Sequence, residues 1–508
     1  MSDTVSQISL KMKYDITPEL ENINKNGTEK ELSENRDVYI AESQESPFKR
    51  QAIISFGVFM LTVSAGATSG ISAIMVPQLK STRSDISVEM VSWIASISCL
   101  ALFFGNLISG YLMERFGRRI SQLMVAVCFV TGWAIIGFSQ DLLSLILIGR
   151  FITGICQGWL GPLGPVFIGE ISTPTYRGLF LAALSLGIAV GVLLAHLFGT
   201  FLHWTVASLL CGLFPLTGGI IIYYAPESPA WLASTNRIDE SVISFQWYRG
   251  RSIAMKTELD KMLIDLSNKN KTQSKLVALG LNIKKPEFYK PLFIMTIFFV
   301  ICQLSGVNVV SAYTTDMMKE LMGSSSNNSF TYAAMLSIDL LRCVSLGVAC
   351  YLLRTSGRRP MALISGVLTS LFLTSLALYL YLYKIKVLEY ISPYISLGLM
   401  AFYIIVSNMG VSLLPWNMVG ELFAVETKGI GSGISVMMTS LAFFGVVKSA
   451  PAMFLSIGHH GTYLFYGLST FCGTIFLFFC LPETKNKTLL EIEERFRYGK
   501  DNKVPRII

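Results

Sequence analysis

The sequence predicts an all-α membrane protein built from twelve membrane-spanning helices in two related halves. Three observations lead to this fold class. The chain of 508 residues is 52% hydrophobic and only 15% charged, whereas a soluble domain carries about 25% charge. Twelve apolar segments are each long enough to cross a bilayer. Three short sequence signatures recur in the same order in both halves of the chain.

The apolar segments lie six on each side of a polar stretch at residues 226–290. The candidate spans are near residues 52–78, 89–111, 121–140, 143–169, 179–202, 205–225, 291–317, 330–353, 360–383, 392–423, 431–456 and 461–481. We therefore expect a disordered cytosolic N-terminal tail (1–50), an N-terminal six-helix bundle (51–225), a cytosolic helical linker (226–290), a C-terminal six-helix bundle (291–481) and a cytosolic C-terminal tail (482–508).

Lysine and arginine residues cluster after the even-numbered spans and are sparse after the odd-numbered ones. Because positive charge favours the cytosolic side, both termini are predicted to be cytosolic. This placement accounts for the net charge of +8 without a nucleic-acid partner. The sequon at Asn327 then faces outward, where its glycosylation is expected.

The repeated signatures indicate that the chain is a duplicated six-helix unit. They are "GYLMERFGRR" (110–119) with "LLRTSGRR" (352–359), "GEISTPTYRG" (169–178) with "GELFAVETKG" (420–429), and "PESP" (226–229) with "PETK" (482–485). Each pair lies at the cytosolic end of a predicted helix. Parallel repeats with a binding site between them are typical of transporters.

Eight motifs in order make the chain resemble the sugar-porter branch of the major facilitator superfamily, which includes insect facilitated trehalose transporter-like proteins and facilitative glucose transporters. The motifs are "GYLMERFGRR" (110–119), "GRFITG" (149–154), "PVFIGEISTPTYRG" (165–178), "PESPAWL" (226–232), "QLSGVN" (303–308), "SGRR" (356–359), "PWNMVGELF" (415–423) and "PETKNKTLLEI" (482–492). The resemblance implies the major facilitator fold, a cytosolic helical linker and alternating access to a central sugar site.

The resemblance also implies that charged residues at the cytosolic ends form ion pairs between the bundles, which lock that side when the site faces outward. The residues at these positions are Glu114, Arg115, Arg119, Glu170, Arg177, Arg358, Arg359, Glu421 and Lys428. The alternative is that Arg118 and Arg119 are simple positive-inside anchors. The second copy departs from the family pattern, because Arg354 stands where an acid is usual and Lys428 replaces an arginine.

Polar side chains within the spans are candidates for binding the hydroxyls of a sugar, since such groups face the bundle interior. The resemblance assigns Gln303 and Asn308 to this role, and an unwound helix at Ser305-Gly306 would let the two amides converge. It also assigns Trp416 to sugar stacking. The alternative for each is helix packing.

Three further polar side chains are expected near the same pocket: Ser185, Tyr313 and Asn408. The chain departs from the family pattern at Cys302 and Ser185, where glutamines are usual. Fewer long amides favour a pocket wider than a glucose-specific one, with room for a disaccharide or another polyol.

Asp339 and Arg342 are unusual because they place two charges inside the eighth span. Their i, i+3 spacing is expected to let them pair on one helix face, which lowers the cost of burial. Both a purely structural pair and a role in binding or coupling remain open. Proton-coupled relatives carry an acid in the first span opposite an arginine in the fourth. Here those positions are Thr68 and Arg150.

The absence of an acid at Thr68 favours a plasma-membrane uniporter for a hexose or trehalose. A proton-coupled symporter, with Asp339 as the alternative carrier, and a nontransporting sugar sensor are the other readings. We expect no enzyme activity, cofactor or metal, because the four histidines (His196, His203, His459 and His460) lie near predicted outer ends without partners of known spacing. The expected partners are the sugar and the lipid bilayer, with no obligate protein partner.

Overall fold

The computed structural model describes residues 47–83, 86–140, 142–250, 258–259, 262, 285–322, 328–388, 392–423, 428–485, 487 and 489–498. Within these ranges the chain is helical and contains no strand. The helices, labelled α1 to α18 in chain order, are Pro47–Gly70, Ser72–Thr82, Val88–Phe116, Arg118–Gly137, Leu143–Ile171, Pro174–Phe201, Trp204–Tyr223, Pro229–Ser234, Ile238–Arg249, Pro286–Leu304, Val307–Met322, Asn328–Thr355, Arg358–Lys384, Pro393–Met409, Leu414–Leu422, Lys428–Ser456, Gly458–Cys480 and Leu489–Tyr498. The prediction of an all-α protein is confirmed.

Twelve of the described segments are long and apolar enough to cross a membrane. They fall into two sets of six, α1 to α7 and α10 to α17, as predicted. Three of them are interrupted: α2 continues α1, α11 continues α10, and α15 follows α14. These breaks occur inside the spans, where irregular backbone is tolerated only if it lies within the protein or lines a cavity.

Glycine shapes the turns in the first pair of signatures. Gly117, between α3 and α4, has φ +91°, a left-handed conformation that favours glycine. A Cβ atom there would also lie 2.5 Å from Glu227 Oε2. Gly357 has an ordinary φ of −70°, yet a Cβ atom would lie 2.6 Å from Glu483 Oε2. Both glycines therefore let a carboxylate approach the start of the next helix.

The linker and C-terminal helices pack on the ends of the bundles that carry the repeated signatures. Trp231 Nε1 of α8 donates to Glu114 O over 3.0 Å. Gln51 Nε2 of α1 donates to Tyr248 O of α9 over 3.0 Å. Within the predicted C-terminal tail, α18 forms an ion pair from Arg497 to Glu287, which lies on the bundle. Residues 1–46 and Asn327, with its predicted glycosylation, lie outside the described residues.

The two bundles meet along several helix pairs, which include α1 and α2 against α11. α3 packs against α16, and α6 packs against α12. Each pair joins a helix of the N-terminal half to one of the C-terminal half, so the interface that the repeats predict runs between them.

Candidate substrate site and gates

The two bundles are joined at the end of the interface opposite the signatures. His196 Nδ1 of α6 lies 2.5 Å from Asp339 Oδ2 of α12. Lys80 Nζ of α2 lies 4.0 Å from Asp316 Oδ2 of α11. Of the ion pairs between described residues, these two are the ones that join the bundles. This end, which is extracellular in the predicted topology, is closed in the structure.

At the signature end the ion pairs form within each bundle. Arg118 Nε lies 2.9 Å from Glu170 Oε2 in the N-terminal bundle. Arg358 Nη2 lies 3.1 Å from Glu421 Oε1 in the C-terminal bundle. The expected interbundle pairs are not formed by the described residues in this conformation, because each acid is engaged by its own half.

The other predicted gate charges whose side chains the structure describes are also not paired across the interface. Arg119 Nη2 donates to Tyr223 O over 2.5 Å, and Arg359 Nη2 donates to Phe478 O over 2.6 Å. Arg177 Nη2 reaches Ser172 O at 3.4 Å. Glu114 and Arg115 are exposed. The side chain of Lys428 lies outside the described residues.

The proline–glutamate signatures cap the helices that start at the arginine pairs. Glu227 Oε1 accepts from the backbone N–H groups of Arg118 and Arg119 over 2.8 and 2.9 Å. Glu483 accepts in the same way from Arg358 and Arg359 over 2.9 and 3.1 Å. A carboxylate is stabilised at a helix N-terminus by the unpaired N–H groups and the helix dipole.

Glu483 shows the electrostatic result of this capping. Partial burial acts to raise its pKa, but backbone N–H groups of Lys485, Arg358, Arg359 and Thr484 donate to the carboxylate and outweigh the burial. The pKa of Glu483 is therefore lowered, and the group is charged at neutral pH.

Hydroxyl groups link the third signature to the second. Ser228 Oγ donates to Glu170 Oε2 over 2.5 Å, and Thr484 Oγ1 donates to Glu421 Oε2 over 2.5 Å. The three signatures thus form one hydrogen-bonded network in each half, which explains why they recur together. Sequence reasoning missed Arg118, Glu227 and Glu483 as network members, although the repeated signatures contain all three.

The break between α10 and α11 brings two predicted sugar-binding residues together. Gly306 has φ +79°, and a Cβ atom there would lie 2.9 Å from Tyr466 Cδ2. Tyr403 Oη donates to Ser305 O over 2.7 Å and holds the broken backbone. As a result, Asn308 Nδ2 donates to Gln303 Oε1 over 2.6 Å. The unwinding expected at Ser305-Gly306 is present.

The remaining predicted sugar-binding residues are dispersed around this break. Asn408 Nδ2 donates to Ser345 Oγ over 3.2 Å, and Tyr313 Oη donates to Val447 O over 3.2 Å. Both side chains therefore join helices in this conformation. Ser185 is half-buried on α6. Trp416 is 47% exposed and packs edge-on against Phe299.

The structure separates the expected pair of Asp339 and Arg342. Asp339 bonds to His196 on α6, whereas Arg342 donates to Ser311 Oγ and Val307 O on α11. Residues three apart on a helix point about 60° away from each other. That angle is enough for α12 to direct them at two different neighbours. The expectation that His196 has no partner is also corrected.

Arg150 occupies a fully buried position between three helices. Its guanidinium donates to Ile94 O and Ala95 O, each over 3.2 Å, and to Ser98 Oγ over 2.9 Å. It also donates to Thr68 O. All of these acceptors are uncharged, so the arginine is held by dipoles rather than by a carboxylate. Among the described residues, no group of three or more metal-ligating side chains could hold a metal ion.

Two six-helix sets of membrane spans, packed against each other in one chain, have the architecture of a transporter of the major facilitator superfamily. The chain belongs to the sugar (and other) transporter family, whose model matches residues 51–496. It is thus a sugar porter and a multi-pass membrane protein.

Comparisons with individual proteins agree with this assignment. The chain is 30% identical over 474 residues to facilitated trehalose transporter Tret1 of Apis mellifera ligustica, covering 90% of each chain. It is 27% identical over 470 residues to sugar transporter ERD6-like 6 of Arabidopsis thaliana, covering 90% of this chain and 92% of that one. The inward-open xylose transporter XylE from E. coli has the same fold, with a TM-score of 0.72, 18% identity and coverage of 88% and 99%.

Proposed function

We propose that the protein transports trehalose or a hexose down its gradient by alternating access, as a uniporter of the plasma membrane with cytosolic termini. The observation that carries this proposal is the pair of amides, Gln303 and Asn308, which the break between α10 and α11 brings into hydrogen-bond contact. Together they offer donors and acceptors that match sugar hydroxyls. The relatives named as facilitated trehalose transporters support the substrate class.

The surroundings of Arg150 support uniport. A proton carrier in the first span would need a titratable group facing this arginine, and the residue there is Thr68, whose Oγ1 donates to Ser64 O over 3.0 Å. A threonine hydroxyl does not titrate in the physiological range. No proton is therefore exchanged at this position during the transport cycle.

The test is uptake of labelled trehalose, glucose and fructose into proteoliposomes, with and without an imposed pH gradient. We expect uptake of at least one of these sugars to stop at equal internal and external concentrations in both cases. Accumulation above equilibrium in response to the pH gradient would identify a symporter instead. Specific binding of a sugar with no uptake would identify a sensor.

We further propose that the gate charges pair between bundles when the site faces outward. Arg177 supports this proposal, because among the described residues its guanidinium makes one long hydrogen bond and its buried Nε has no partner. We expect the guanidinium of Arg177, which makes few hydrogen bonds in this conformation, to pair with a carboxylate of the other bundle in the outward-facing one.

Arg177→Gln is therefore expected to reduce the outward-facing population a few-fold, since a half-exposed ion pair contributes about 0.2–1 kcal/mol. The measurement is the rate at which a membrane-impermeant reagent labels a cysteine introduced at the outer end. Arg237→Gln, on the exposed linker, is the matched control and should leave that rate unchanged. An unchanged rate for Arg177→Gln would refute the role of Arg177.

A further inference from the structure

His196 and Asp339 form a completely buried contact between the two bundles. The side chains are 0% and 2% exposed, and Nδ1 lies 2.5 Å from Oδ2. His196 is near the outer end of α6, so the contact belongs to the closed end of the interface. Burying two titratable side chains between membrane-spanning helices is energetically costly. Such groups are therefore candidates for a functional role.

The second ring nitrogen of His196 has an acceptor as its partner. Nε2 lies 3.1 Å from Gly70 O. This carbonyl is available because the first span breaks here, and Ile74 N donates to Ile71 O instead. A carbonyl oxygen can only accept a hydrogen bond, so Nε2 carries a hydrogen.

The bond between His196 and Asp339 then needs a second proton. Either Nδ1–H donates to a carboxylate, or a protonated carboxyl group donates to a bare Nδ1. In both arrangements the closed pair holds two protons. A neutral imidazole and a carboxylate that have separated hold one. Closing the contact therefore binds one additional proton.

Among the described residues, no other charged side chain hydrogen-bonds to His196 or Asp339. α7 and α14 carry no Asp, Glu, Lys, Arg or His, and α1 carries charges only at its cytosolic start. On α12 itself, Arg342 bonds to α11, and Cys343 is a titratable neighbour of Asp339. The charged groups on the other packed elements are Lys80 on α2, Arg150 and Glu170 on α5, Arg177 on α6, Arg354 on α12, and Asp316, Lys319 and Glu320 on α11.

We propose that His196 and Asp339 form a proton-binding latch on the outer gate, which takes up one proton when the outer face closes and returns it outside when that face opens. This inference rests on the alternating access proposed above. A state that holds one more proton than another is favoured as the proton concentration rises. Acid on the outer side therefore favours the closed outer face.

The latch makes transport sensitive to external pH without making protons a driving force. The pair is still bonded and buried in this conformation, whose outer end is closed. The proton therefore stays bound to His196 and Asp339 while the substrate site is accessible from the side opposite the closed outer end. It is released only when the bundles part at the outer end.

The experiment measures amide hydrogen exchange of residues 72–82 and 307–322 in the full-length protein in lipid nanodiscs without sugar. Spectra at pH 6 and pH 8 are compared at labelling times scaled to the intrinsic exchange rates. We expect protection of these outer segments to increase on acidification, by at most about tenfold per pH unit for one linked proton. Equal protection at both pH values would overturn the proposal.

Asp339→Asn is the decisive variant. Its amide donates to Nδ1 while Nε2–H still donates to Gly70 O, so both hydrogen bonds persist without the additional proton. Its outer segments should stay protected at both pH values, and its uptake at pH 8 should fall. If Asp339→Asn does not fold, His196→Gln takes its place in the test. This variant also removes a titratable member of the pair and should abolish the pH dependence.

His203→Gln is the matched control, because His203 is an exposed histidine next to the same outer end. It should keep the pH dependence of the unmodified protein. Persistence of the pH dependence in Asp339→Asn or His196→Gln, or its loss in His203→Gln, would refute the latch. Since the measurement needs no sugar, failure of the proposed transport activity would be seen separately.

Discussion

Gly191→Ala is expected to prevent the N-terminal bundle from packing. Gly191 is where α6 crosses α1. A Cβ atom there would overlap Val63 O and lie 2.8 Å from Ala67 N and 2.9 Å from Gly66 Cα. All three obstacles are backbone atoms, which cannot rotate away as a side chain does. In membranes, helices associate through such close approach at small residues.

The expected result is loss of correctly folded protein, measured as monodisperse yield and thermal stability in detergent. Overpacking a tight core costs about 1–3 kcal/mol or more, and here the helix axes themselves must separate. Gly178→Ala on the same helix is the control, since no atom lies within 4 Å of a Cβ there. Equal yields for the two variants would contradict the packing of α6 on α1.

Gln303→Ala is expected to weaken sugar binding about tenfold or more. The change removes the amide that would meet a sugar hydroxyl and leaves Asn308 Nδ2 without its acceptor. An unsatisfied buried polar group costs about 1–3 kcal/mol, and each 1.4 kcal/mol is a factor of ten in affinity. The measurement is the KM for uptake in proteoliposomes together with a direct binding titration.

Gln122→Ala is the matched control for this substitution. Gln122 is also a buried glutamine within a span, but it lies on α4 and its amide atoms have no hydrogen-bond partner in the described part of the chain. Its removal should leave KM unchanged. If both variants bind sugar as the unmodified protein does, Gln303 does not contact the substrate.

The number of spans and the internal duplication were predictable because both follow from the order of residues along the chain. Hydropathy over about 20 residues is a local property, and the repeated signatures are visible by comparing the two halves. The break at Ser305-Gly306 was also predictable, since only an interruption there lets amides five positions apart converge. The predicted ends were less accurate: the seventh span begins at Pro286 rather than near residue 291.

The partners of the charged residues were not predictable in the same way. Spacing along α12 favoured a bond between Asp339 and Arg342, but the helix is rotated so that each meets a different neighbour. Spacing likewise did not show whether Arg118 or Arg119 pairs with Glu170. The structure shows that Arg118 does, while Arg119 turns to a backbone carbonyl.

The amino-acid sequence alone thus establishes a membrane protein of two repeated six-helix units. The hydrophobic segments and the repeated motifs can both be recognised directly in the order of the residues. The partners of the polar side chains depend on how helices that are far apart in the sequence are rotated and packed against each other. His196 and Asp339 are 143 positions apart, and no local pattern joins them. Their contact exists because two bundles close on each other, and that closure is a property of the folded chain.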